Sequence, residues 1–224
     1  MKASVAVVCD FDGTATVEDL ADALSIQHLG YELWKEANDA FHAGDISFVE
    51  LLRRIFEPVA ATPEEVSAFA LAHARFRPGF AELLATCQER GVRFVLASGG
   101  LDLYIRPALT KLPPALTDGL EIRANGARYV PGGLALSFPY ADAPGACGQC
   151  GSCKGAIVKE LQAAGHTVVS VGDGNADRCM AGVADVLFAR GRLHAWCSEQ
   201  GIACEGFETF APVIARVAAL SRGA

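Results

Sequence analysis

Short apolar runs stand at four places along the chain, at residues 5–9, 92–97, 167–171 and 185–189. The first run, residues 5–9, is continuously apolar, which is typical of a central strand buried on both faces. Between the last three runs, apolar residues recur at helical spacing. Strands that alternate with helices predict an α/β fold, with a parallel sheet and helices on both of its faces.

The stretch between the first and second runs has a different pattern, because it shows helical spacing and no clear strand. Its predicted helices cover residues 19–29, 31–42, 47–57 and 63–75. Thr62 followed by Pro63 and two glutamates is a typical helix start, with proline early and acidic residues in the first turn. We therefore predict a helical cap over residues 16–76, inserted into a core domain formed by residues 1–15 and 77–224.

A third pattern occupies residues 119–153. Short strand-like segments separated by glycines, at 120–122, 127–130 and 134–138, come before a cluster of cysteines. We predict a small β insertion in the core domain here.

Composition narrows the classes of function. The 224 residues carry a formal net charge of -7 and show no lysine or arginine run, so we expect no nucleic-acid partner. No apolar run approaches the roughly 20 residues that a membrane helix needs. Eight cysteines without a secretion signal favour a reducing compartment, and we expect a cytoplasmic protein.

Polar side chains follow the apolar runs at the point where each predicted strand ends. Asp10 and Asp12 follow the first run, Ser98 the second, and Asp173 and Asp177 the third. Because ligands of open parallel sheets bind outside the carboxyl ends of the strands, we expect these side chains to share one site.

The acidic residues point to phosphoryl chemistry with a metal ion. Asp10 and Asp12 flank one residue, so in an extended backbone their side chains point the same way and repel each other unless a cation relieves them. Together with Asp173 they form an oxygen-only ligand set, which suits Mg²⁺. A carboxylate can attack phosphorus, so Asp10 is the predicted nucleophile, and Asp12 can protonate the leaving alcohol.

The remaining candidates would hold the phosphate. Ser98 can donate a hydrogen bond, Lys154 can supply a positive charge, and the backbone around Gly99 can complete a cradle. Thr14 can orient one of the acids. Taken alone, Ser98 would more often be a helix cap and Lys154, which begins the helix leading into the third run, a solvated surface charge. Their order and their positions relative to the strands therefore carry the argument.

These residues, in this order, resemble the four motifs of the haloacid dehalogenase superfamily: residues 10–14 (DFDGT), Ser98, Lys154 and residues 172–177 (GDGNAD). The resemblance implies a HAD-like, Rossmann-like fold and a phosphatase that passes through an aspartyl-phosphate on Asp10. It also implies that Asp12 lends its backbone carbonyl to Mg²⁺, that Asp173 binds the metal directly, and that Asp177 binds it through water.

Within the superfamily, the helical insertion resembles the cap of the phosphoserine-phosphatase-like branch. Residues 96–102, 150–154 and 188–193 are closer to phosphatases of 2-hydroxy-3-keto-5-methylthiopentenyl-1-phosphate in methionine salvage. Asp19 and Arg54 are the candidate substrate-binding residues of the cap. We expect a small phosphorylated metabolite as substrate, with phosphoserine, or transfer to an acceptor alcohol in place of hydrolysis, as alternatives.

Cys147, Cys150 and Cys153 lie just before Lys154 at a spacing of three residues. Three thiols this close can bind Zn²⁺ if a fourth ligand comes from elsewhere. They can instead form a redox pair, or line a tight turn without a ligand. The sequence leaves these three interpretations open.

Overall fold

The computed structural model describes residues 4–148 and 150–222. The outer ends of the predicted core segments and Gln149 of the cysteine cluster lie outside the described residues.

Within these residues, seven strands form one sheet in the order β4-β3-β2-β1-β5-β6-β7. Every neighbouring pair is parallel except β3 and β4, which are antiparallel. The strands are β1 (Ser4–Cys9), β2 (Arg93–Leu101), β3 (Glu121–Val130), β4 (Gly133–Ser137), β5 (His166–Gly172), β6 (Val186–Ala189) and β7 (Glu205–Gly206). The predicted parallel sheet is confirmed, and the first strand of the chain lies at its centre.

Helices cover the sheet and fill the segment between β1 and β2. They are α1 (Leu20–Leu29), α2 (Tyr31–Ala43), α3 (Phe48–Phe56), α4 (Pro63–His73), α5 (Phe80–Glu89), α6 (Asp102–Leu109), α7 (Pro114–Thr117), α8 (Lys154–Ala163), α9 (Arg178–Ala181), α10 (Gly191–Gln200) and α11 (Ala211–Ser221). We call α1–α4, residues 20–73, the four-helix segment. Its helices begin and end within two residues of the predicted bounds.

Side chains of β1 alternate between two apolar clusters. Val7 belongs to the cluster that includes Phe80 of α5, and Val8 belongs to the cluster that includes Ile157 of α8. Both valines are fully buried, as the apolar run predicted. A strand covered on both faces has a fixed register, because a shift by one residue would exchange its two faces. The loop that follows β1 is therefore anchored in the centre of the molecule.

Two details of the sheet differ from the sequence prediction. The predicted second strand ended at Ala97, but β2 continues through Ser98 to Leu101, with an irregular register between Ala97 and Leu101. Two of the short strands predicted after residue 119 are one ten-residue strand, β3. Glycine lowers strand propensity, so glycine at 99, 100 and 126 led to strand ends being predicted where the backbone continues extended.

Among the described residues, the helices are all too short or too polar to span a bilayer.

Candidate active site

The candidate site lies at the carboxyl ends of β1 and β5. The backbone N–H of Asp10 donates to the carbonyl of Val171 at 3.0 Å, which extends the pairing of the two strands by one residue. Asp10 and Asp173 are thus held side by side by the sheet itself. This is the edge at which open parallel sheets bind their ligands.

Three carboxylates converge at this edge. One oxygen from each of Asp10, Asp173 and Asp177 lies within 4.8 Å of the others, and no other group of three acidic, cysteine or histidine side chains in the described residues meets that condition. Burial, and then the charge of Asp177, raise the pKa of Asp10 and of Asp173 above the usual range. Oxygen ligands that repel one another in a buried site fit a hard divalent cation such as Mg²⁺.

Lys154 lies between two of these acids. Its Nζ is 2.6 Å from Asp10 Oδ1 and 2.5 Å from Asp177 Oδ1. Burial alone would lower the pKa of Lys154, but the two carboxylates outweigh burial and raise it, so the side chain is charged. The other oxygen of Asp177 accepts from the backbone N–H groups of Asp173 and Gly174 at 2.9 and 3.0 Å.

The turn after β1 reaches across to Asp173. The Thr14 hydroxyl donates to Asp173 Oδ1 at 2.6 Å, so Thr14 orients Asp173 and does not line the cavity over the site. Gly13 has a φ of 73°, and a Cβ at this position would lie 2.5 Å from Asp173 Oδ2. Only glycine allows this approach.

Asp12 faces the same cavity from the other side. Its Oδ1 accepts from the backbone N–H of Leu20 at 3.0 Å, and its Oδ2 accepts from the Tyr104 hydroxyl at 2.8 Å. Burial raises the pKa of Asp12 to about 6, although the Tyr104 hydrogen bond acts in the opposite direction. Ser98 lies 3.4 Å from Asp12 Oδ2, and its oxygen accepts from the N–H of Gly100 at 2.9 Å.

A cavity of about 370 Å³ opens over these residues. Its floor comes from the core and its walls from the four-helix segment. The floor includes Asp10, Asp12, Ser98, Gly99, Lys154, Asp173 and Asp177. The walls include Asp22, His42, Phe48, Leu51, Leu52 and Ile55, and Asp19, just before α1, also lines the cavity.

The structure thus brings together most of the residues singled out in the sequence, but not Arg54. Arg54 Nε pairs with Glu50 Oε1 at 3.1 Å on the surface of α3, and its side chain lines a separate depression beside Pro58. Asp19 lines the cavity and caps α1, where it accepts from the N–H of Asp22 at 2.9 Å.

Residues 7–182 match the model of the haloacid dehalogenase-like hydrolase family, which is more than half of the chain. The chain belongs to the haloacid dehalogenase-like hydrolases. The family resemblance of its four motifs is therefore confirmed.

Members of this family with curated names cover nearly the whole chain. It is 30% identical over 212 residues to the 2-hydroxy-3-keto-5-methylthiopentenyl-1-phosphate phosphatase of Exiguobacterium sibiricum, with 94% of this chain and 95% of that protein covered. It is 32% identical over 210 residues to the bifunctional enzyme MtnB/MtnX of Bacillus licheniformis, which covers 92% of this chain but 48% of that protein. The chain thus spans about half the length of that relative.

The fold is shared with a solved phosphoserine phosphatase, captured as an analogue of its phospho-aspartyl intermediate. The two structures have a TM-score of 0.68 at 20% identity, and the match covers 96% of this chain and 99% of that one. The HAD-like fold expected from the sequence is confirmed.

Two arginines of this hydrolase, the buried Arg77 and the partly buried Arg190, have a role that the sequence did not indicate. Arg77 is 5% exposed and donates to the carbonyls of Thr14 and Gly13 at 2.8 and 2.7 Å. Arg190 donates to the same Gly13 carbonyl at 3.1 Å. These bonds fix the turn that carries Asp12 and Thr14. The sequence signals were the change of pattern at residues 77–79 and the resemblance carried by residues 188–193, and neither indicated this role.

Among the described residues, the sulfurs of Cys147, Cys150 and Cys153 do not meet as a metal-binding set, which was one of the three interpretations that the sequence left open. Cys147 Sγ lies 3.3 Å from Cys150 Sγ, whereas Cys153 is buried at the start of α8. Cys150 instead forms a side-chain hydrogen bond with Cys179, far along the sequence. Among the described residues, only the aspartate group has the geometry of a metal site.

Proposed function

We propose that this hydrolase is a magnesium-dependent phosphomonoesterase that uses Asp10 as its nucleophile. The proposal rests on the convergence of Asp10, Asp173 and Asp177, with the Lys154 ammonium beside them. Asp10 is a buried carboxylate beside one fixed cation, the Lys154 ammonium, at a site that suits a second cation. These positive charges reduce the repulsion between the carboxylate and an anionic phosphoryl group. The family and the named phosphatases among its relatives support the same reaction.

The proposed reaction has two steps, the formation of an aspartyl-phosphate on Asp10 and its hydrolysis. In the first, an Asp10 oxygen forms a bond to phosphorus, the bond from phosphorus to the alcohol oxygen breaks, and Asp12 gives its proton to the departing alcohol. In the second, water attacks the same phosphorus and gives a proton to Asp12. The bond to Asp10 then breaks, which releases inorganic phosphate. Ser98 and Lys154 hold the phosphoryl oxygens throughout.

Mg²⁺ would be held by Asp10, Asp173 and Asp177, with the backbone carbonyl of Asp12 as the ligand that the family resemblance implies. When bound, the ion neutralises charge on the phosphoryl oxygens. The proposed location is the cytoplasm, because eight cysteines suit a reducing compartment.

The cavity walls favour a phosphate ester with an apolar part. Phe48, Leu51, Leu52 and Ile55 present apolar side chains above the floor. The cap arginines do not offer their charge to the cavity, because Arg53 and Arg54 pair with Glu57 and Glu50. We therefore propose a substrate like the one named for the relatives, 2-hydroxy-3-keto-5-methylthiopentenyl-1-phosphate. Phosphoserine is the second candidate, since Asp19, Asp22 and Arg192 also line the cavity.

Substitution of the nucleophile tests the reaction. Asp10→Asn should lower phosphate release from an aryl phosphate by at least about 10³-fold, because the covalent route is lost. Asp118→Asn, at an exposed position outside the cavity, is the matched control and should keep wild-type activity. Chelation should remove activity and Mg²⁺ should restore it. The zinc content of the purified protein should stay below about a tenth of an equivalent, because the described cysteines lack a closed ligand set. An Asp10→Asn protein as active as the wild type would contradict the proposal.

A further inference from the structure

The hydroxyl of Tyr104 contacts Asp12, the general acid of the proposed reaction. The side chain is fully buried, and its ring lies between Phe11 and Phe56, each with its centroid 6.4 Å away. Its hydroxyl donates to Asp12 Oδ2 at 2.8 Å. A buried phenol needs a hydrogen-bond partner, and here the partner is Asp12.

The surroundings fix the direction of this hydrogen bond. The backbone N–H of Leu101 donates to the phenol oxygen, so the phenol proton points to the carboxylate. Gly100 provides the space, since a Cβ there would overlap the Tyr104 hydroxyl and lie 2.9 Å from Asp12 Oδ2. Tyrosine, glycine and aspartate are thus packed against one another on the inner end of β2.

The two oxygens of Asp12 are held from opposite sides. Leu20 N–H, at the start of α1, bonds to Oδ1 at 3.0 Å, and Tyr104 bonds to Oδ2. Ser98, at 3.4 Å from Oδ2, is too far to replace the phenol. The backbone N–H of Ala21, next to Leu20, also donates to this carboxylate. Without Tyr104, the close donors that remain both come from the start of α1, so Oδ2 is held less firmly.

We propose that Tyr104 is a positioning residue, which fixes the carboxyl group of Asp12 so that its proton meets the departing alcohol oxygen. This inference rests on the proposed function, in which Asp12 is the general acid of the first step. The phenol does not touch the substrate, because it does not line the cavity, and it acts only through Asp12.

The test is the dependence of rate on the leaving group in Tyr104→Phe, which removes the hydroxyl and keeps the ring. The parameter is kcat/KM, because it reports the transfer of phosphorus to Asp10 and excludes the later attack of water. The substrates are dinitrophenyl, nitrophenyl and phenyl phosphate and an alkyl phosphate. Leaving groups of high pKa need the proton most, so the loss should grow along this series to roughly 10- to 100-fold for the alkyl ester.

The leaving-group slope separates positioning from a structural effect. A general loss of folded or well-packed protein lowers all substrates equally and leaves the slope unchanged, which would overturn the inference, as would wild-type rates throughout. Tyr129→Phe removes a hydroxyl from β3, outside the cavity, and is the matched control. Thermal unfolding of each variant checks that the fold is kept.

Asp12→Asn separates this inference from the proposed function. It should steepen the slope more than Tyr104→Phe does. If it steepens the slope and Tyr104→Phe does not, the role of Tyr104 alone is wrong. If neither variant changes the slope while Asp10→Asn is inactive, Asp12 is not the general acid. If Asp10→Asn is fully active, the proposed reaction itself fails.

Discussion

At the scale of single residues, the centre of the site is a buried cation between buried acids. Lys154 is 1% exposed, Asp10 6% and Asp177 fully buried. A charged group in such surroundings is tolerated only when it is paired, because removal from water costs several kcal/mol per ion. The Lys154 ammonium therefore stabilises the buried acids of the site, in addition to the phosphate-binding role proposed for it.

Removal of this cation should destabilise the folded chain. Lys154→Met leaves the carboxylates of Asp10 and Asp177 without their partner and should lower the free energy of unfolding by about 3–5 kcal/mol, measured with urea at neutral pH without added metal. The deficit should shrink as pH falls, because burial raises the pKa of Asp10 and a protonated carboxyl group needs no cation.

Lys159→Met, at an exposed position of the same helix, is the control and should change the free energy of unfolding by less than about 0.5 kcal/mol. Equal stability of the two variants would show that the ion pairs contribute nothing to folding.

The sequence predicted these charged residues from their positions relative to the strands, because Asp10 and Asp177 come after strands and Lys154 begins the helix that leads into β5. It did not predict Tyr104, which lies on α6 among apolar residues and looks like an ordinary core aromatic. It also favoured Arg54 as a cavity residue. The helical pattern placed that residue on α3 correctly, but the direction of its side chain depends on how the helix docks, and Glu50 one turn earlier binds it on the outer surface. The direction of a side chain depends on how its helix packs, which the spacing of apolar residues along the sequence does not determine.

At the scale of elements, the turn at residues 11–15 decides whether the acids can meet. It leaves β1 at Asp10 and places Gly13 against Asp173 and Thr14 in hydrogen-bond contact with it. Arg77, from the start of the segment that leads to α5, holds the turn through its carbonyls. The turn is thus fixed by contacts from distant parts of the chain.

Substitution of Gly13 in this turn should weaken metal binding in addition to lowering the stability of the fold. Gly13→Ala puts a methyl group at 2.5 Å from Asp173 Oδ2, so the carboxylate must move. Gly30→Ala is the matched control, because Gly30 also has a positive φ, of 85°, and an added Cβ there meets nothing within 4 Å. Both should lose about 1–2 kcal/mol of stability through the backbone conformation.

Only Gly13→Ala should in addition lose the rise in unfolding temperature that saturating Mg²⁺ gives to the wild type. The measurement is thermal unfolding with and without Mg²⁺. A full Mg²⁺ shift in Gly13→Ala would show that Asp173 is not a ligand.

Helices and buried strands were the elements best predicted from sequence, because their apolar spacing is set by burial. The ends of β2 and β3 were predicted wrongly, because their glycines were interpreted as turn residues. In the structure these glycines are extended and in close contact with neighbouring side chains. Gly99 faces the ring of Phe48, and Gly126 faces the Ser137 side chain of β4. Such contacts arise only when distant elements meet.

At the scale of the whole molecule, the cavity exists because the four-helix segment and the sheet face each other. Phe48, the first residue of α3, reaches the sheet so closely that a Cβ at Gly99 would lie 2.9 Å from its ring. Asp10, Lys154, Asp173 and Asp177 lie outside the four-helix segment, whereas the apolar side chains of Phe48, Leu51, Leu52 and Ile55 lie within it. The proposed function thus assigns chemistry and substrate choice to different parts of the chain.

This division predicts that a change in the wall alters which phosphate ester is preferred. Phe48→Ala should lower kcat/KM for 2-hydroxy-3-keto-5-methylthiopentenyl-1-phosphate about 10-fold or more, since a buried aromatic side chain contributes roughly 1.5–3 kcal/mol. The loss for phosphoserine, which has no apolar tail, should be several-fold smaller. Leu33→Ala truncates an apolar side chain that is 57% exposed on α2 and should leave the ratio of the two values unchanged. Equal losses for both esters in Phe48→Ala would mean that the phenyl ring supports the site as a whole and does not select the substrate.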